Sequence, residues 1–230
     1  MPGPWDGGSA KEFALAGFEA LATPSHGVAA SLGYEDGATP PDEMFAAVAR
    51  IVRAVDTLEH PVPVTADIER GYGLPVDELV GRLLEAGAVG CNLEDSAPAE
   101  PGGAARLVEP ERQADWLASF HAAADGRIFL NARIDSYLRG ADDPLSDALE
   151  RGRLYVAAGA ESVYPFGAPA RDIGVLAAEL GVPVNAFCGP ADSVRGLAEA
   201  GATRITFGGT LAARAFTTVR DLATSLRPVN

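Results

Sequence analysis

The sequence is short of the residues that most often do covalent or redox work. Lysine occurs once, as Lys11, among 18 basic residues, so almost no candidate exists for an amine nucleophile or a Schiff base. Two cysteines, Cys91 and Cys188, are too few for a disulfide framework and fall in no CxxC metal spacing. The simplest reading is a reduced, cytoplasmic setting. The histidines are only His26, His60 and His121. No apolar run approaches a membrane span, and the opening "MPGPWDGGSA" has neither the basic nor the apolar part of a secretory signal. Acidic residues outnumber basic ones 32 to 18, for a formal charge of −14. That balance argues against nucleic acid or an anionic membrane surface as the main partner, and it says little about a small substrate.

What is present is a regular alternation. The chain has 230 residues, 47% of them hydrophobic, and no internal linker, which suits one domain over 1–230 with a large core. Short apolar runs predict strands at 19–23, 62–66, 88–93, 127–132, 161–165, 182–186 and 203–207. Amphipathic stretches at 41–58, 75–87 and 109–124 predict helices between them, several opening on proline with an acid in the first turn. Gly87, Gly126, Gly159, Gly181 and Gly201 stand where helices should end. Strands alternating with helices imply a parallel sheet. Seven strands with a weak eighth favour an α/β, (β/α)8 TIM barrel over an open doubly wound sheet, with the first strand short or truncated.

In such a barrel, chemistry gathers at the C-terminal strand ends. The stretch "PVPVTADIERGYG" at 61–73 delivers Asp67 and Glu69 to the start of a loop, and strand alternation places Thr65, Asp67 and Glu69 on one face. Two like charges so close repel unless a cation or solvent separates them. Taken alone, the segment fits a solvated strand end as well as a cation site. Other strand ends carry Asn92 and Glu94 in "CNLEDS", Asn131, Arg133 and Asp135 in "NARIDSYL", and Asn185 in "PVNAFCGP". Polar residues of one parity on four strands favour a common site over a solvated rim.

These stretches, with "WDGGSA" (5–10) and "GFEALATPSHGVAASLGYEDG" (17–37), resemble the isocitrate lyase/phosphoenolpyruvate mutase superfamily over about residues 4 to 215, especially its short bacterial members. The resemblance implies Mg²⁺ (or Mn²⁺) held by Asp67, Glu69 and Glu94, partly through water, a donor set that suits a hard cation preferring oxygen ligands. It places Asp36, Ser25, His26 and Arg133 in the active site, and Trp5, Asp6, Asn131 and Asn185 among the substrate contacts. Arg133 would grip a substrate carboxylate with its planar fork, or else pair with Asp135 or Glu94. Asp36 is equally at home as a turn residue in "EDG", and His26 as a partly buried loop histidine. The resemblance also implies a homodimer or homotetramer.

The sequence departs from that family in one segment above all. Isocitrate and methylisocitrate lyases carry a Lys-Lys/Arg-Cys-Gly-His loop after the "LED" strand, and the phosphorus–carbon enzymes carry a lysine and an asparagine. Here "NLEDSAPAEPGGAARLVEPE" (92–111) has no Cys, His or Lys, and after Asn92 no asparagine. Pro24 removes a backbone N–H where relatives have one. Only "MPGP" precedes Trp5, and little chain follows residue 215, so no large helix exchange between subunits is expected. The favoured reading is a Mg²⁺-dependent lyase that cleaves a C–C bond beside the oxo group of a small 2-oxo or 2-hydroxy dicarboxylate, like an oxaloacetate decarboxylase. The alternatives are a phosphonopyruvate or phosphoenolpyruvate mutase or hydrolase, and a catalytically silent barrel kept as a binding or oligomer subunit. Ala97, Gly102 and Gly103 offer room for acids larger than oxaloacetate.

Overall fold

The computed structural model describes residues 1–97 and 105–227. Strands β1 (Leu21–Ala22), β2 (Val64–Asp67), β3 (Gly90–Glu94), β6 (Phe129–Ile134) and β7 (Ser162–Pro165) form one parallel sheet in that order. Strands β8 (Asn185–Phe187) and β9 (Arg204–Thr206) pair with each other in parallel, and a bridge from Val163 to Val184 joins them to β7. Each of these strands falls within or beside a run predicted from the sequence. Two further strands, β4 (Ser96–Ala97) and β5 (Arg106–Leu107), make a small antiparallel pair that the apolar pattern did not announce, because its residues are mostly small or polar.

Helices α1 (Gly7–Leu15) and α2 (Ser25–Leu32) flank β1, and α3 (Pro41–Asp56), α4 (Val76–Glu85) and α5 (Pro110–Ala124) follow. Then come α6 (Ser136–Arg139), α7 (Pro144–Ala157), α8 (Ala170–Leu180), α9 (Val194–Glu199) and α10 (Thr210–Ser225). Pro41, Pro110 and Pro144 lie in first turns, where the missing N–H costs nothing. Among the described residues no helix is long and apolar enough to cross a membrane.

The main core lies between the sheet and α4, α5, α7 and α8. It includes Leu79, Leu83, Leu93, Leu117, Phe120 and Leu130, all fully buried. Each such side chain stabilises the fold by about 1.5–3 kcal/mol relative to exposure. The concave side of the sheet is different. Strand register aligns Asp67, Asn92, Asn131 and Ser162 in one row, and Glu94, Arg133 and Tyr164 in the next. The rows are therefore polar where barrel interiors are usually branched and apolar.

The sheet curls, but ladder pairing does not run all the way round. Among the described residues no ladder joins β9 to β1. Instead the first residues reach both strands: the Met1 amino group donates to the Ile205 carbonyl at 2.7 Å, and the Ala22 N–H donates to the Pro2 carbonyl at 3.0 Å. The expected first strand is reduced to these contacts and to the two residues of β1.

Candidate active site

Asp67 ends β2, and there the alternation stops. Ile68 turns into the core, and Glu69 adopts φ +53°, a left-handed conformation unusual for a residue with a Cβ. The Glu69 N–H donates to Asp67 Oδ1 at 3.2 Å, which ties the turn to the carboxylate before it. Glu69 thus comes to the side of Asp67 through a tight turn rather than through strand pleating, as the sequence had suggested. Gly71 is required just beyond. It has φ +76°, and a Cβ there would stand 2.7 Å from Leu79 Cδ2 and 3.2 Å from Trp116 Cζ2.

A cleft of about 1060 Å³ opens above this turn, lined among others by Ser25, Asp36, Glu69, Glu94 and Arg133. Asp67 is buried next to it. Burial pushes its carboxyl above the ordinary range, with Arg133 pulling the other way. Burial, then Asp67 and Asp36, raise Glu69 to about 7. Burial raises Glu94 to about 8 against the pull of Arg133. Glu69 Oε1 and Tyr72 Oη are buried with no hydrogen-bond partner among the described residues.

These observations test whether a divalent cation fits. The donors are all carboxylate oxygens, their charges raise one another's proton affinity, and one oxygen is orphaned; each of these favours a hard cation. As the side chains stand, no three His, Cys, Asp or Glu among the described residues are grouped closely enough to hold a metal directly. Glu94 Oε2 faces Arg133 Nη1, 2.8 Å away. Mg²⁺ keeps several of its waters and needs few direct carboxylates, so the set fits it without tight clustering.

Arg133 is held on three sides. Its Nε and Nη2 donate to Asp135 at 2.7 and 3.3 Å, Nη1 faces Glu94, and the guanidinium lies 4.4 Å from the Phe166 ring centroid. Burial works against its charge, yet Glu94 and Asp135 raise its pKa above the ordinary value. The ion-pair alternative for Arg133 is thus what the structure displays, with both carboxylates at once. The fork facing Asp135 is occupied, and a substrate carboxylate would use the remaining N–H groups.

The other predicted residues separate into near and far. Ser25 is buried in the first turn of α2 and lines the cleft, with Pro24 as the cap that offers no N–H. Asp36 reaches the cleft wall, and His26 Nδ1 lies 3.9 Å from Asp36 Oδ2. Both side chains are more than half exposed, at 64% and 56%, so this pair contributes little to stability. His26 itself is not among the cleft-lining residues, and it packs near Gly209.

Asn131 and Asn185, expected as substrate contacts, are wholly buried below the cleft. Asn131 Nδ2 donates to Asn92 at 2.7 Å and to Asn185 at 3.3 Å, and its Oδ1 accepts from Ser162. Asn185 Nδ2 donates to Thr206 Oγ1 at 2.9 Å and to its neighbour's carbonyl. They form a polar floor rather than a contact surface. Trp5 packs edge-on against Phe13 and Phe216, and Asp6 caps α1 by accepting from the Ser9 N–H at 2.7 Å. Neither lines the cleft, because the motif that carries them builds a helix start. Ala97 does line it, whereas Gly102 and Gly103 lie outside the described residues.

The structure adds residues that sequence reasoning passed over. Asp95 is fully buried and accepts from Tyr155 Oη at 2.7 Å, Arg151 Nη1 at 3.2 Å and the Asp135 N–H at 2.9 Å. Asp135 also accepts from Ser96 Oγ, to which Arg139 Nε donates at 2.7 Å. This network behind the cleft fixes the pose of Arg133. Arg70, Tyr72, Arg112, Trp116 and Arg139 complete the walls. Only the position of Arg139, four residues after Asp135, was a signal that could have been read in advance.

Comparison with known proteins identifies the family of the chain. A family model described as phosphoenolpyruvate phosphomutase matches residues 1–227. A solved structure from Burkholderia cenocepacia J2315, provisionally assigned as a phosphonomutase, superposes with a TM-score of 0.86 at 36% identity, covering 97% of this chain and 92% of that one. The chloroplastic carboxyvinyl-carboxyphosphonate phosphorylmutase of Arabidopsis thaliana is 37% identical over 71% of this chain and 50% of its own length. The 2-methylisocitrate lyase of Escherichia coli K12 is 34% identical over 65% of this chain and 51% of its own.

Proposed function

Because the chain belongs to the phosphoenolpyruvate phosphomutase family, within the isocitrate lyase/phosphoenolpyruvate mutase superfamily of lyases and mutases, we propose that it is a Mg²⁺-dependent carbon–carbon lyase acting on a small 2-oxo dicarboxylate. The observation that carries the reading is the meeting of Glu69, Glu94 and Arg133 at one cleft, with Asp67 buried and tied to the Glu69 N–H, in a lining that offers no lysine, cysteine or histidine among the described residues. Oxaloacetate is the smallest substrate that this set accommodates.

Asp67, Glu69 and Glu94 would hold the cation. Bound there, it supplies positive charge for the oxo oxygen as that oxygen becomes an enolate. The chain's own part is positional. Arg133, locked by Asp135, presents its remaining N–H groups to the carboxylate beside the oxo group. The bond from C3 to the far carboxyl breaks, its electron pair passes into the enolate, and carbon dioxide departs. A proton from water then reaches C3 and gives pyruvate. No lysine or cysteine is needed for these steps, which matches a 92–111 segment that contains neither.

The same reading takes the curled sheet as a (β/α)8 barrel in which residues 1–4 stand in place of an eighth strand, supported by the Met1 and Pro2 hydrogen bonds. It also takes the protein as a homo-oligomer without a large helix exchange.

The test is direct. Mg²⁺-dependent formation of pyruvate from oxaloacetate should exceed the rate given by free Mg²⁺, with no turnover of phosphonopyruvate or isocitrate. Phosphate release from phosphonopyruvate, or glyoxylate from isocitrate, at a comparable rate would replace this reaction with the phosphorus–carbon or isocitrate alternative. Failure of every acid to bind or react would leave the silent barrel.

A further inference from the structure

The cleft is larger than oxaloacetate requires, and it carries three arginines besides Arg133. Arg70, Arg112 and Arg139 line it, and none of the three forms an ion pair among the described residues. Arg133, in the same cleft, is by contrast held by Glu94 and Asp135. Arg70 Nε is buried without a partner. Guanidinium N–H groups that no carboxylate of the described residues holds are free to take an anion in a bidentate, charge-assisted hydrogen bond.

Arg139 joins this set to the site already described. Its Nε donates to Ser96 Oγ at 2.7 Å, and that hydroxyl donates to Asp135, the carboxylate that orients Arg133. The terminal nitrogens of Arg139 have no hydrogen-bond partner among the described residues and remain for a ligand. Trp116 and Leu138 give the same cleft apolar surface, the usual mix in a ligand pocket.

We infer that Arg70, Arg112 and Arg139 form a second anion subsite, and that the substrate is a 2-oxo or 2-hydroxy acid longer than oxaloacetate with a further carboxylate seated there. The inference rests on the proposed function, which places the oxo-acid end at Asp67, Glu69, Glu94 and Arg133. It also follows from charge. A carboxylate clasped by arginines is stabilised as an anion and is a poor source of carbon dioxide. The group lost in any cleavage must therefore be a different one. Oxaloacetate is then a minimal substrate, and the natural one spans both ends of the cleft.

The experiment compares equilibrium binding, in the presence of Mg²⁺, of acids matched in length that end in methyl or in carboxylate. Suitable pairs are 2-oxopentanoate with 2-oxoglutarate, and 2-oxohexanoate with 2-oxoadipate. Calorimetry supplies the affinities, with the fluorescence of Trp116 in the cleft wall as a second readout. In at least one pair the carboxylate-ended acid should bind roughly tenfold tighter, about the effect of one charge-assisted hydrogen bond. In Arg112→Met and Arg139→Met that ratio should collapse toward one. Should Arg139→Met fail to fold, Arg112→Met carries the test alone, because Arg112 is exposed on α5. Equal binding within each wild-type pair, still dependent on Mg²⁺, overturns the subsite and leaves the proposed function intact. A ratio that survives both variants overturns the assignment to these arginines. Absence of Mg²⁺-dependent binding by any of the acids overturns the proposed function and this inference together.

Discussion

Arg133 Nη1 stands 2.8 Å from Glu94 Oε2, so the side chain expected to grip a substrate already grips one of the expected metal ligands. The two roles are linked. A cation that draws Glu94 toward itself releases N–H groups of Arg133, and a substrate carboxylate can then take them. Substrate binding should therefore depend on metal, and Arg133→Lys should weaken it, since a point charge replaces a planar fork. The loss should be about 1.5–3 kcal/mol in oxo-acid binding measured calorimetrically with Mg²⁺. An unchanged affinity would remove Arg133 from substrate recognition.

Asp67→Ala should abolish Mg²⁺ binding without harming the fold. The Asp67 carboxyl is buried and its proton affinity raised, which means that its ionised form is unfavourable where it sits. Its removal relieves that cost and forfeits one acceptor for the Glu69 N–H. The thermal midpoint should hold or rise while titrated Mg²⁺ affinity disappears. Retention of wild-type metal affinity would show that the cation sits elsewhere.

Metal affinity should rise with pH. Glu69 is raised to about 7 and Glu94 to about 8, chiefly by burial, so near pH 6 both carry protons that a cation must displace. The sign is fixed: raised carboxylates are neutral below these values and become ligands above them. Apparent Mg²⁺ affinity should increase between about pH 6 and 8, by up to about tenfold per unit for each proton released. Parallel titrations in buffers of different ionisation heat would count those protons, and a flat profile would contradict the prediction.

Tyr155→Phe should destabilise the protein although residue 155 touches no substrate. Its hydroxyl donates to the fully buried Asp95 at 2.7 Å, a carboxylate that burial raises to about 6 and that also receives Arg151 and the Asp135 N–H. Loss of one hydrogen bond to a charged group costs about 1.5–3 kcal/mol, several degrees in Tm for a chain of this size. Differential scanning calorimetry would show it, and an unmoved midpoint would mean that water replaces the hydroxyl.

Light scattering addresses assembly. Val219 and Leu222 on α10 are exposed at 64% and 60%, next to the half-buried Phe216, a surface that a second copy would cover. The mass should be a multiple of 23.7 kDa, and a value near 23.7 kDa itself would refute the oligomer.

Much of the architecture was legible because buried parallel strands leave plain apolar runs, and β2, β3, β6 and β7 lie where those runs are. The placement of Asp67, Glu94 and Arg133 at strand ends was legible as well. The sequence could not show which partner each polar group would choose. Asn131 shares the parity of Arg133 but lies in the row below it, level with Asp67, where its amide bonds to Asn92 and Asn185. Parity gives the face, and depth depends on how neighbouring strands are staggered. Glu69 reached the cleft by a left-handed turn that no side-chain pattern encodes. Asp6 and Trp5 belong to a motif that looked chemical and proved to start a helix.

The pairing of Ser96 with Leu107 and of Ala97 with Arg106 fastens two points of the chain to each other beside the cleft. With those points already pinned, a change in the length of chain between them would ask little of the strands below. Each doubling of such an excursion adds only about 0.6 kcal/mol of closure entropy. Ala97 and Ala105 border the same cleft as Glu69, Glu94 and Arg133, so new side chains could be introduced beside those carboxylates while the strand ends that carry them stay as they are.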